Sequence, residues 1–110
     1  MKTLNNRTAF VTGGASGIGL GIAKALASEG ANVAIADVQA DRLASALSEL
    51  QSITSSVMTL EVDVRDKASL EDASSRIESE LGPVSILCNN AGIGGGGKVL
   101  DTAEESWKNV

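Results

Sequence analysis

Thr12-Gly13-Gly14-Ala15-Ser16-Gly17-Ile18-Gly19 lies between an apolar run, Ala9-Phe10-Val11, and an amphipathic stretch. A glycine-rich turn from a buried strand into a helix is an anion-binding device. The helix start offers backbone N–H groups without partners and a partial positive charge, and glycines let a pyrophosphate come close to the main chain. The chemistry this predicts is the grip of a dinucleotide. A P-loop is excluded, because G-x-x-x-x-G-K-[ST] needs Lys after Gly19 and Leu20 stands there. The strict G-x-G-x-x-G spacing is absent as well, and the pattern present is T-G-x-x-x-G-x-G. Such turns also arise where tight packing alone demands them, so the reading needs support downstream.

That support is an acid about 20 residues on, at the end of the second strand, where a carboxylate accepts hydrogen bonds from ribose hydroxyls. Asn32-Val33-Ala34-Ile35-Ala36-Asp37 meets the requirement. Asp37 could instead be an ordinary N-cap for the following helix. Asp63-Val64 closes the expected third strand and Asn89-Asn90-Ala91-Gly92 the fourth. Their alternative readings are another helix cap and Asn-Gly turn chemistry.

These four segments, in this order and spacing, resemble the short-chain dehydrogenase/reductase family across essentially the whole chain. The resemblance implies that Gly13, Ser16, Gly17, Ile18 and Gly19 form the cofactor turn and that Asp37 holds the adenosine ribose. It implies that Asp63 holds the adenine amino group, that Val64 contacts the ring, and that Asn90, Ala91 and Gly92 border the ribose and steady the sheet. The implied activity is hydride transfer between a nicotinamide cofactor and a secondary alcohol or ketone.

The family's catalytic Ser, Tyr and Lys, the last two in Tyr-x-x-x-Lys, have no counterpart here, since the chain contains no Tyr. Lys98 and Lys108 read as surface charges. No catalytic residue is therefore assigned, and the 110 residues are expected to bind cofactor without turnover, as the N-terminal portion of a longer enzyme. Two other readings are a self-sufficient NAD-binding module and an interaction remnant that binds nothing. Extending the reading frame past Val110 separates both from the first.

NAD is expected over NADP, because Asp37 would repel a 2′-phosphate and the turn carries no Arg or Lys to neutralise one. Arg42, early in the next helix, is the residue that could reach toward the ribose and admit NADP.

A net charge of −5 without clustered Lys or Arg argues against nucleic acid. No apolar run approaches the roughly 20 residues that span a bilayer, and Met1 to Arg7 lacks a signal-peptide core, so a cytoplasmic location is expected. Cys88 is the single cysteine and there is no His, which excludes an intrachain disulfide and leaves a catalytic thiol or a metal site without its usual partners.

The elements that must position these residues alternate between strand and helix, the α/β signature of a doubly wound parallel sheet. Strands are predicted near Thr8 to Thr12, Asn32 to Asp37, Val57 to Asp63 and Ser85 to Asn89, in the order 3-2-1-4, with the first two helices on one face and the third on the other. Apolar stripes toward the sheet are read at Ile18, Ile22 and Leu26, at Leu43, Leu47 and Leu50, and at Leu70, Ala73, Ile77 and Leu81. The fourth strand is expected at an apolar edge, favouring self-association. Gly92 to Gly97 reads as a loop, and Thr102-Ala103-Glu104-Glu105 as a capping box before Trp107.

Overall fold

The computed structural model describes residues 4–15, 17–63 and 65–90. The predicted glycine loop, the capping box, Ser16, Val64, Ala91 and Gly92 lie outside them. The described elements are β1 (Thr8–Thr12), α1 (Gly17–Ser28), β2 (Asn32–Asp37), α2 (Ala40–Gln51), β3 (Val57–Glu61), α3 (Lys67–Glu80) and β4 (Val84–Asn89). The strands form one sheet in the order β3-β2-β1-β4, and every pairing is parallel. This is the Rossmann-like α/β arrangement expected.

Parallel strands covered on both faces should be apolar throughout, and β1 is buried at all five positions. Side chains alternate across the strands and feed two separate cores. Val11, Val33, Ile35 and Cys88 pack with α1 and α2, through Ala23, Ala27, Leu43, Ala46 and Leu50. Phe10, Ala34, Ala36, Met58, Leu60 and Leu87 pack with α3, through Ala73 and Ile77. The two faces are therefore covered as predicted. Burying Ile77 fully is worth about 2–3 kcal/mol, and it anchors an otherwise polar helix.

The contact line of α1 differs from the predicted stripe. Its buried residues are Gly19, Ala23 and Ala27, one position round from Ile18, Ile22 and Leu26. Ile22 and Leu26 pack at the flanks, and Ile18 is 64% exposed. A helix lying this close to a sheet admits only Gly and Ala along its line of approach, so size overrides hydrophobicity. In α2 the buried residues are Leu43, Ala46 and Leu50, while Leu47 is only partly covered. In α3, Ala73 and Ile77 are buried, with Leu70 and Leu81 packed beside them.

Two strand ends also differ. β3 stops at Glu61, so Asp63 lies two residues beyond the strand rather than closing it, and β4 begins one residue earlier, at Val84. At the sheet's amino end, the Thr8 hydroxyl donates to the Leu81 carbonyl at 3.0 Å and the Asn32 amide donates to it at 3.3 Å. These bonds satisfy an orphan carbonyl after the last turn of α3 and tie the helix to β1 and β2.

Candidate functional site: the carboxyl ends of the strands

In a parallel sheet every strand ends on the same side, and the order β3-β2-β1-β4 places the reversal of winding between β1 and β4. Among the described residues, Gly13, Gly14, Asn90 and the ends of β2 and β3 are tied together there by hydrogen bonds. The Asn90 amide Nδ2 donates to the Gly13 carbonyl at 3.2 Å. The Gly14 N–H donates to the Ala36 carbonyl at 3.1 Å, and the Val62 N–H to the Asp37 carbonyl at 3.0 Å. The glycine turn thus hangs between β4 and β2, and the approach to Asp63 is tied to the end of β2.

Each glycine of the turn has its own reason. A Cβ on Gly19 would stand 2.0 Å from the Gly13 carbonyl oxygen and 2.8 Å from Asn90 Nδ2, so the helix start is wedged against the end of the turn. A Cβ on Gly14 would stand 2.8 Å from the Ile35 side chain. Gly17 has φ +58° and open space where its side chain would project, in the left-handed region that glycine adopts without strain. The first turn of α1 presents amides that no carbonyl of its own helix can reach. Two glycines are fixed by packing, while the third leaves an open approach beside a helix N-terminus. The residues present therefore fit a bound pyrophosphate.

Thr12, which the sequence reading passed over as part of the turn, ties the crevice together. Its buried hydroxyl donates to Asn89 Oδ1 at 2.9 Å and accepts the Asn90 N–H at 3.1 Å. Asn90→Ala removes the amide that holds the Gly13 carbonyl. The expected result is a loss of about 1 kcal/mol in chemical denaturation, with a larger proportional loss in dinucleotide affinity as the turn loosens.

The capping alternatives for both acids are now decided. The N-cap of α2 is Gln39, whose side chain makes no capping bond. Asp37 instead accepts the Gln39 N–H on Oδ1 at 3.2 Å, and its Oδ2 bonds to no described residue. The N-cap of α3 is Asp66, which accepts from the Ala68 and Ser69 N–H groups. Neither Asp37 nor Asp63 is used as a cap. Val38 is 55% exposed beside Asp37, an apolar surface at the site that the sequence reading missed. Arg42 is exposed in the first turn of α2.

Asp63 is paired with Arg65, also missed in the sequence although Asp63-Val64-Arg65 places acid and base two residues apart. The Arg65 guanidinium donates to Oδ1 and Oδ2 at 3.1 and 2.9 Å, and the Arg65 backbone N–H donates to Oδ1 at 3.0 Å. The side-chain hydrogen bonds foremost, then the backbone bond, lower the Asp63 pKa from the ordinary 3.8 to about 2. A carboxyl depressed on folding contributes stability above its ordinary pKa and loses it as the pH falls through the folded value, here between about pH 4 and 2. Carbon-detected NMR titration of the Asp63 carboxyl is expected to show a midpoint near 2. A midpoint near 3.8 would show that the pairing does not form. Cys88, fully buried in β4, has its thiol pKa pushed up by burial and is not poised as a nucleophile.

The short chain dehydrogenase family model matches residues 7–110. The chain belongs to the short chain dehydrogenase family. Among its relatives, 2,3-dihydro-2,3-dihydroxybenzoate dehydrogenase of Bacillus subtilis is 36% identical over 107 residues, covering 97% of this chain and 41% of that protein. Galactitol 2-dehydrogenase of Agrobacterium fabrum is 38% identical, with the same coverage of both chains. The structure of L-sorbose reductase from Gluconobacter frateurii, complexed with NADPH and L-sorbose, aligns with a TM-score of 0.78 at 33% identity over 97% of this chain and 41% of its own. This short chain dehydrogenase sequence thus spans about two-fifths of the length of these relatives. Among the described residues, no helix is long and apolar enough to cross a membrane.

Proposed function

We propose that these residues form the NAD(H)-binding part of an oxidoreductase that moves hydride between nicotinamide and a secondary alcohol or ketone. The observation that carries this reading is the glycine turn: wedged at Gly14 and Gly19, open at Gly17, and joined by hydrogen bonds to the segments bearing Asp37 and Asn90, the first of which is in turn bonded to the segment leading to Asp63.

In this reading Gly13, Ser16, Gly17, Ile18 and Gly19 receive the pyrophosphate. Asp37 accepts the adenosine ribose hydroxyls and Val38 offers an apolar surface to the base. Asp63 and Val64 hold the adenine, and Asn90, Ala91 and Gly92 border the ribose. The bound cofactor supplies or accepts the hydride. The chain has no Tyr and no His to exchange the accompanying proton, and its one Cys is buried. Binding without turnover follows for the 110 residues alone. The partner is thus NAD(H), with an alcohol or ketone acted on by a longer form.

Titration of the chain with NADH, followed by nicotinamide fluorescence, tests the reading. Saturable binding, competed by ADP-ribose, is expected. Absence of binding by a folded chain overturns it.

A further inference from the structure

A carboxylate offers about four lone-pair positions on two oxygens, and in Asp63 the chain's own groups fill three. The Arg65 N–H and Nε both donate to Oδ1, at 3.0 and 3.1 Å, and Nη2 donates to Oδ2 at 2.9 Å. Counting donors among the described residues, one acceptor position is left, on Oδ2. The Arg65 side chain is 87% exposed. An ion pair so exposed adds little to folding stability, so stability does not account for the three-point geometry.

We propose that Arg65 is a positioning residue that turns Asp63 into a reader of a primary amino group on a flat base. By holding the carboxylate plane and occupying Oδ1, it leaves a single in-plane acceptor for one N–H. An amino-bearing purine can donate to that position. A purine carrying an oxo group there presents an oxygen lone pair to a fixed anion and is repelled. Without the guanidinium only the backbone N–H of residue 65 still holds Oδ1, the carboxylate is freer to rotate about Cβ–Cγ and turn its charge toward water, and the penalty on the oxo base relaxes. The depressed pKa of Asp63 is the titration signature of the same contacts.

This inference rests on the assignment of Asp63 to the adenine. Removing a positive charge weakens any dinucleotide through its diphosphate, so the informative quantity is the ratio of affinities for NADH and its hypoxanthine counterpart, which lacks the amino group. In the unsubstituted chain NADH is expected to bind about tenfold more tightly. In Arg65→Met the preference falls to about twofold, both affinities sharing a common loss. Arg65→Lys is intermediate, since an ammonium cannot bridge both oxygens in plane. Unchanged thermal melting controls for folding. A tenfold preference retained in Arg65→Met overturns the role of Arg65 while leaving Asp63 on the adenine. No preference in the unsubstituted chain overturns both assignments, and no binding of either dinucleotide removes the cofactor reading beneath them.

Discussion

Gly19→Ala is expected to abolish measurable NADH binding and to lower the melting temperature by about 10–20 °C, corresponding to about 3 kcal/mol in a domain of this size. The added methyl would lie 2.0 Å from the Gly13 carbonyl oxygen. What it meets is backbone, so no rotamer change relieves the clash. The helix must lift from β1 or the turn must open, and each breaks the Asn90 bond to Gly13. Gly17→Ala separates packing from binding, because its methyl meets no atom within 4 Å and costs only the left-handed backbone conformation, about 1–2 kcal/mol. Its affinity loss should therefore exceed what its stability loss explains. Calorimetric melting together with fluorescence titration of both variants checks this. A Gly19→Ala protein that melts normally and binds NADH would show that the wedge does not shape the turn.

The second large effect concerns the choice between cofactors. Asp37→Ser is expected to weaken NADH about tenfold, by removing charge-assisted hydrogen bonds to the ribose, and to strengthen NADPH by a similar factor. The repulsion being removed can be bounded. Unit charges 4 Å apart interact by about 4 kcal/mol at an effective dielectric of 20 and about 1 kcal/mol in water, and a partly exposed Asp37 lies between these limits. The ratio of the two affinities thus moves about a hundredfold. Equal binding of NADH and NADPH by the unsubstituted chain would defeat the claim and point to Arg42, on the first turn of α2.

The strand order and the bonding of the turn to the ends of β2 and β4 were legible because each signal is local: an apolar strand, then glycine, Asp or Asn at its carboxyl end. Parallel pairing carries all four ends to one side. The contact line of α1 was not legible, because a stripe sought by hydrophobicity selects Ile18, Ile22 and Leu26 over Gly19, Ala23 and Ala27. Close approach to the sheet rewards small side chains instead. The extent of β3 was misread for a related reason: the apolar alternation runs through Val62, yet pairing with β2 ends at Asp37 and Glu61. Arg65 and Thr12 escaped notice because their importance lies in hydrogen-bond geometry. For Thr12 the partners are 77 and 78 residues away.

The suspension of the glycine turn between β2 and β4 has a kinetic consequence. With the Gly14 N–H held by Ala36 and the Gly13 carbonyl by Asn90, the entropy of ordering this loop is absorbed when the chain folds, not when a ligand arrives. A dinucleotide bound as proposed would meet Gly13 and Gly14 already held in place. Association is therefore expected as one fast phase with no slow isomerisation behind it, and differences among related nucleotides should reside in how long each one stays.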